Sequence, residues 1–337
     1  MNISFAIFEQ AAQLWFSEWL PAIFNPQKRI FWGYLLSSLV LAFLWLRLVK
    51  KTSIRSSAKQ IFDRQIWISK SAWADYKVML INTVLMMMLS PRLLAKATVA
   101  YLFFDSMHVL FDGRPYISTD LPQWTIAFSF TLSLFLLDDF ARYWLHRWLH
   151  KVPILWSFHK VHHTATVLNP FTVFRTHPIE ALLFSMRSAI VQGVTTALFF
   201  FFLGDQVTLM MVLGASIFTF AFNLLGSNLR HSPVSIRYWN PLECILMSPA
   251  QHHIHHSTAK EHIDKNFGVA LSVWDWIFGS LSLSKAEEHL SFGLNGEQSR
   301  DQHSLKGLYL APFHQAWGVF LRFFSRLPFS IYPKHSA

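Results

Sequence analysis

The chain has 337 residues, of which 53% are hydrophobic and only 14% charged, with 33 Phe, 14 Trp and a formal net charge of +10; its mean hydropathy is +0.30. Soluble domains carry about 25% charged residues, so this deficit excludes an ordinary soluble domain and points to a membrane protein. The positive balance fits Lys and Arg flanking membrane segments beside anionic headgroups, and without a basic-aromatic module it gives no reason to expect a nucleic-acid partner.

Residues 1–24, MNISFAIFEQAAQLWFSEWLPAIF, place Glu9 and Glu18 in an apolar pattern. They lack the basic start and small-residue cleavage site of a signal peptide and predict an amphipathic interfacial helix. Residues 30–49 are long enough to span, since about 20 apolar residues cross the hydrocarbon. Residues 50–77 hold seven Lys or Arg against Asp63 and Asp75, a bias that predicts a cytoplasmic loop. Residues 78–104 predict one irregular span kinked at Pro91, in which Arg92 and Lys96 either interrupt the span or mark a re-entrant pair. Residues 105–123, with Asp105, Asp112 and Asp120 against Arg114 alone, suit the opposite side. Residues 124–150 predict a third helix that turns polar and histidine-bearing toward its end. Two more apolar runs, 180–203 and 206–226, are joined by LGD and predict a hairpin whose limbs are long enough to cross, or which instead dips in and returns. Parity then puts residues 142–178 and 227–337 on one face. Arg142, Arg147, Lys151, Lys160 and Arg175 make that face cytoplasmic. The expected fold is all-α, a multi-span helical membrane protein with a cytoplasmic histidine-rich di-metal cap.

The histidines are not scattered. Of 17 in the chain, five fall within residues 146–163, where an even spread would put about one. HRWLH holds His146 and His150. HKVHH holds His159, His162 and His163, and HHIHH repeats that spacing with His252, His255 and His256. Positions i, i+3 and i+4 share one helical face, so each box is expected to aim its imidazoles at one point. His177 and His231 bring the candidate ligands to ten. That is too many for one tetrahedral ion and suits two metals. Cys244 is the only cysteine, which removes thiolate zinc sites and iron–sulfur clusters. Many neutral imidazoles with an open face suit redox-active iron that binds O2. The boxes contain no Glu, which disfavours a carboxylate-bridged bundle site.

The motifs DDFARYWLHRWLH, LWSFHKVHH, FRTHPIE, SPAQHHIHHS and NFGVALSVWDWIFGS, in this order and spacing, resemble the fatty acid hydroxylase/sterol desaturase superfamily over about residues 124–283. The resemblance implies a membrane-bound di-iron oxidoreductase that hydroxylates or desaturates a lipid with O2. Residues 1–120 are then N-terminal membrane segments, 121–285 the di-iron domain, and 286–337 a cytoplasmic or interfacial tail. Two departures stand out. Many relatives place a further histidine where this chain has Ser227, a gap His177 is expected to fill, and His253 is an extra histidine within the last box. Asp138, Asp139, Glu180 and Asp275 are the candidate hydrogen-bond partners behind the ligands, since ligating histidines usually pass their other N–H to a carboxylate or carbonyl. No heme motif or flavin fingerprint is present, so electrons are expected from a separate donor: a cytochrome b5-like protein, a ferredoxin or a flavoprotein reductase.

Other classes fit less well. A metalloprotease would need H-E-x-x-H, which is absent. A metal transporter would hold its ligands mid-span rather than beyond the helix ends. An inactive metal-binding scaffold remains the alternative, and iron content together with O2-dependent product formation separates it from the enzyme. A sterol, a fatty acyl chain, an ether lipid and a carotenoid all suit an apolar pocket equally.

Overall fold

Inside hydrocarbon every backbone N–H and C=O must find a partner within the protein, and a helix meets this demand within one segment. The chain follows that rule in a computed structural model that describes residues 17, 20–89, 92–113, 120–213, 216–286, 288–294 and 302–325. The expected N-terminal interfacial helix falls almost wholly outside these residues, as do Pro91 and the end of the tail. Among the described residues there is no strand, only isolated antiparallel bridges at Leu246–Leu271 and Ser257–Phe292.

The helices run α1 (Trp32–Leu44), α2 (Ile54–Ile61), α3 (Arg64–Trp67), α4 (Lys70–Leu89), α5 (Arg92–Leu110), α6 (Gln123–Lys151), α7 (Pro153–His163) and α8 (Pro178–Leu203). They continue as α9 (Leu209–Leu213), α10 (Ile217–Leu224), α11 (Asn240–Glu243), α12 (Pro249–His256), α13 (Val273–Ile277), α14 (Leu305–Tyr309) and α15 (Ala311–Ser325). Among the described residues, three helical stretches are long and apolar enough to cross a membrane: Trp32–Val49, Gln123–Lys151 and Pro178–Gln206. In the second, only 17% of the apolar window is buried by protein. Trp124, Phe128, Leu136 and Leu137 stand exposed there, a cost that lipid contact removes.

Residues 78–104 are divided between α4, which ends at Leu89, and α5, which begins at Arg92, with the expected kink at Pro91 outside the described residues. The second limb of the hairpin is shorter than α8: helix is described at Leu209–Leu213 and at Ile217–Leu224, where Ser216 accepts from Thr219 N, and residues 214–215 lie outside the described residues.

Small residues and aromatics set the packing. At Gly193 an added Cβ would lie 2.7 Å from Val99 Cγ1, so glycine lets α5 lie close along α8. Across the α6–α8 contact Phe130 meets Phe199 edge-on at 5.1 Å. Phe218 of α10 packs on Phe128 and Phe135. These helices enclose a cavity of about 970 Å3, bounded toward the histidines by Arg230, Val269 and Ala270. The N-terminal segments, which carry no motif, support the histidine region. Ala42, Leu46 and Ile61 pack on Leu229, Val234 and Ile236. Ala74 and Val78 pack on Val161 and Leu308.

Candidate metal centre

The histidines come from four local devices. Helix α6 ends with His146 and His150 on one face. Val152 is extended and Pro153 opens α7, so the chain folds back instead of continuing. Helix α7 carries His159, His162 and His163, all buried. His231 closes a 3-10 turn entered through Gly226 at φ +103°, a conformation that favours glycine. Helix α12 opens with a capping box: Ser248 Oγ accepts from Gln251 N, Gln251 Oε1 accepts from Ser248 N, and Pro249 takes the first position. This short helix delivers His252, His255 and His256.

Two groups result. His146, His150, His159, His163 and His255 each present a ring nitrogen, all within 4.8 Å of one another, and His162, His231, His252 and His256 form a second set under the same limit. The groups adjoin, with the rings of His163 and His256 stacked at 4.6 Å. Each HxxHH box is therefore divided between them, contrary to the expectation that it aims at one point. The i, i+4 pairs stay together, His159 with His163 and His252 with His256, while His162 and His255 each serve the other group. With 3.6 residues per turn, sequence neighbours project about 100° apart and cannot converge on one ion.

The nitrogens point inward. His146 Nδ1 donates to Phe267 O at 2.7 Å, His255 Nδ1 to Lys265 O at 2.9 Å, and His162 Nδ1 to Arg175 O at 3.3 Å. A carbonyl only accepts, so each of these rings holds its proton on Nδ1 and presents an Nε2 lone pair to the cluster. In the second group, neighbouring Nε2 atoms lie at 3.0 Å (His252–His231), 3.1 Å (His231–His256) and 3.2 Å (His231–His162 and His256–His252). In the first, His150 and His159 Nε2 lie 3.0 Å apart, and the buried His163 and His255 Nε2 atoms have no hydrogen-bond partner. Burial holds His162 down to about 3 and His255 to about 4, and pushes His159, His163, His231, His252 and His256 well below the usual histidine value. The rings are neutral at physiological pH. Converging lone pairs at this spacing repel unless cations sit among them, so the donor set fits two metal ions of the kind that prefers imidazole.

Carboxylates and carbonyls hold the rings from behind. Glu180 Oε1 lies 3.0 Å from His159 Nδ1. Asp275 reaches no histidine. It accepts from Phe267 N at 2.8 Å, Gly268 N at 2.7 Å and Ser280 Oγ at 2.6 Å, and so holds the segment whose carbonyls orient His146 and His255. Asp139 secures the same segment further on, accepting from Ala270 N, Leu271 N and Trp274 Nε1. Asp138 also touches no histidine. It takes Arg142 at 2.9 Å and Arg187 at 2.8 Å. Sequence reasoning missed Glu243, which is fully buried and accepts from Ser248 Oγ and Ser284 Oγ, anchoring the start of α12. It also missed the buried Asp75–Arg175 pair, which ties α4 to the carbonyl behind His162. No local pattern marks either. The S-P-A-Q capping box, in contrast, is readable from sequence.

Three histidines stand apart. His177 joins neither group. It caps α8, where its Nδ1 accepts from Ile179 N at 3.1 Å, and its Nε2 donates to Tyr309 O at 3.2 Å. Both nitrogens are engaged, because Pro178 starts the helix and leaves the next free amide for His177 to cap. His253 packs against Phe292, and His262 pairs with Glu288 at 3.1 Å. Ser227 donates to Asn223 Oδ1 at 2.7 Å. The second group thus has four histidines without a residue at that position.

Residues 131–280 match the family described as fatty acid hydroxylase. The chain is 31% identical to an alkylglycerol monooxygenase of Homo sapiens over 196 residues, 57% of this chain and 39% of that protein. It is 29% identical to the ornithine lipid hydroxylase OlsE of Rhizobium tropici over 178 residues, 53% of this chain and 49% of that protein. It is 27% identical to a putative Delta(7)-sterol-C5(6)-desaturase 2 of Arabidopsis thaliana over 177 residues, 51% of this chain and 55% of that protein. The chain thus spans from about two fifths to just over half the length of these relatives. No solved structure matches at a significant level.

Proposed function

We infer that this chain, which belongs to the fatty acid hydroxylase/sterol desaturase superfamily, is a membrane-bound di-iron oxidoreductase that hydroxylates or desaturates a lipid with O2. The observation that carries this reading is the pair of adjoining histidine groups, whose inward lone pairs suit two ions, at the ends of apolar helices beside a large cavity. His146, His150, His159, His163 and His255 would hold one iron, and His162, His231, His252 and His256 the other. Bound iron supplies the O2-dependent oxidation of an unactivated C–H bond.

The chain's own residues do the rest. Burial keeps the imidazoles neutral, so the lone pairs are available without prior loss of a proton. The Phe267, Lys265 and Arg175 carbonyls and Glu180 fix the rings. The cavity is lined by Phe104, Phe130, Phe135 and Phe200, a chamber suited to a hydrocarbon chain and at the upper end of ligand-pocket sizes, about 300–1,000 Å3. Electrons come from a separate donor.

The site faces the cytoplasm in this reading. Support comes from the basic 50–77 segment, which meets the site directly: Ser71 Oγ accepts from Thr166 N and from Arg175 Nη1. The loop with the strongest positive bias and the histidines therefore share one side.

The test is metal analysis of the purified chain with O2 uptake in the presence of candidate lipids and a reductant. Two irons per chain and lipid-dependent O2 uptake are expected. A single zinc with lipid conversion retained, or two metals with no O2 uptake for any lipid class found altered in a deletion strain, would overturn it.

A further inference from the structure

The cavity that receives the hydrocarbon has a charged end. Arg29, Arg142 and Arg230 line it there, with Asp138 and Asp139. The carboxylates are already engaged. Asp138 is shared by Arg142 and Arg187, and Asp139 accepts two backbone amides and the Trp274 indole. Among the described residues, neither Arg29 nor Arg230 is paired with a carboxylate. Both donate to one carbonyl, Ser227 O, each at 3.1 Å. Arg230 is buried, gives a second bond to Val269 O at 2.8 Å and lies over the Phe222 ring. The buried Nε atoms of Arg29, Arg142 and Arg187 have no hydrogen-bond partner.

The charges do not balance. Among the described residues four guanidiniums (Arg29, Arg142, Arg187, Arg230) meet two carboxylates, a surplus of two positive charges. Arg29, Arg142 and Arg230 repel one another across this space. Gathering like charges is costly where a guanidinium is withdrawn from water, as Arg230 is, unless an anion joins them. Guanidiniums suit an oxyanion because their planar fork presents paired N–H donors. The surplus matches a phosphate monoester, which carries about −1.5 to −2 at neutral pH.

We propose that Arg29, Arg142 and Arg230 form a phosphate-binding site at the metal-centre end of the cavity, and that it takes the headgroup of a single-chain lipid phosphate whose hydrocarbon lies among Phe104, Phe130 and Phe200. Val269 and Ala270, beside that end, belong to the segment whose Phe267 carbonyl orients His146. A headgroup held there brings the first carbons of the chain, rather than its tip, nearest the metals. Because this site rests on the lipid-oxidation reading above, binding and turnover are measured separately.

The experiment uses the full-length protein in nanodiscs. The ligands are a 1-acylglycerol 3-phosphate, the neutral 1-acylglycerol of the same chain length, and inorganic phosphate. The lipid phosphate is expected to bind at least about tenfold more tightly than the neutral lipid, the scale of one charge-assisted hydrogen bond. Arg29→Gln should remove at least about tenfold of the affinity for the lipid phosphate and leave that for the neutral lipid and the metal content unchanged. Arg29→Lys, which keeps the charge, should retain part of the preference and serves as the folding control. Equal affinity for the two lipids, or equal weakening of both by Arg29→Gln, overturns the site. Inorganic phosphate binding as tightly as the lipid phosphate overturns the lipid assignment. A headgroup preference without turnover of either lipid counts against the oxidation reading and supports the site.

Discussion

Gly268→Ala tests how the centre is held together. A Cβ built at Gly268 lies 2.5 Å from Leu271 O, 2.8 Å from Asp275 Oδ2 and 2.9 Å from Met247 Cε. Ordinary contact begins near 3.4 Å, so relief at the Leu271 carbonyl alone requires a shift of about 0.9 Å (3.4 minus 2.5). Neither oxygen can give way freely. Leu271 is held by Asp139, and the Asp275 carboxylate bonds to Gly268 N itself. The backbone at 267–268 must move, and the 2.7 Å bond from His146 Nδ1 to Phe267 O stretches to about 3.6 Å, beyond bonding range. Overpacking of this kind costs about 1–3 kcal/mol, and loss of a ligand's outer partner typically weakens metal affinity about 10- to 100-fold. Only His146 and His255 are oriented by this segment, and both belong to the five-histidine group. The variant should lose one metal before the other when dialysed against increasing chelator, falling from two ions toward one by mass spectrometric metal analysis. Gly318→Ala, in α15 with nothing closer than 3.8 Å, is the control and should hold both. Two metals with unchanged chelator resistance in Gly268→Ala would refute the account of Phe267 O as the anchor of His146.

Glu180→Ala removes the carboxylate beside His159 Nδ1 and should weaken metal retention about 10- to 100-fold, whereas Glu180→Gln keeps an accepting oxygen and should be milder in the same chelator titration. His177→Ala should keep both metals and lower thermal stability by about 1 kcal/mol through loss of a helix cap; loss of one metal would return His177 to the ligand set. Metal-free protein should be most stable at neutral pH. His162 and His255 are held down to about 3 and about 4 by burial, against 6.5 when unfolded. Between pH 6.5 and 4 the unfolded chain takes up protons that the folded chain refuses, so the melting temperature should fall across that window on acidification and be flat for these groups above it. A melting temperature that rises on acidification from 6.5 to 4 would contradict their burial as neutral rings.

Local information was enough for much of this protein. Hydropathy and length marked apolar runs at 30–49, 124–150 and 180–203, which the structure shows as the candidate spans Trp32–Val49, Gln123–Lys151 and Pro178–Gln206, because a helix in lipid satisfies its own backbone and its side chains need only be apolar. At 206–226 the apolar run gives less helix than composition suggests, Met210–Leu224 against the 26 residues of α8. The histidine boxes declared themselves as metal chemistry, because i, i+4 spacing is a property of one helix and needs no partner. What one helix cannot state is which box meets which. His162 leaves its neighbours to join His231, His252 and His256, while His255 joins His146, His150, His159 and His163. Those choices depend on how α6, α7, the turn at 227–231 and α12 are docked. Docking is set in turn by groups with no local signature, Glu243 under α12 and the Asp75–Arg175 pair under His162, and by Asp275, which the sequence placed behind a histidine but which holds Phe267 instead. His177 shows the same limit from the other side. A histidine before Pro-x-Glu reads as a ligand beside its carboxylate, yet the tertiary fold gives Glu180 to His159 and leaves His177 to cap its own helix. Sequence determined that this chain gathers imidazoles at the ends of membrane helices. Only the tertiary structure decided how they divide into two groups, because that division is made by contacts between residues far apart in the chain, where no periodicity reaches.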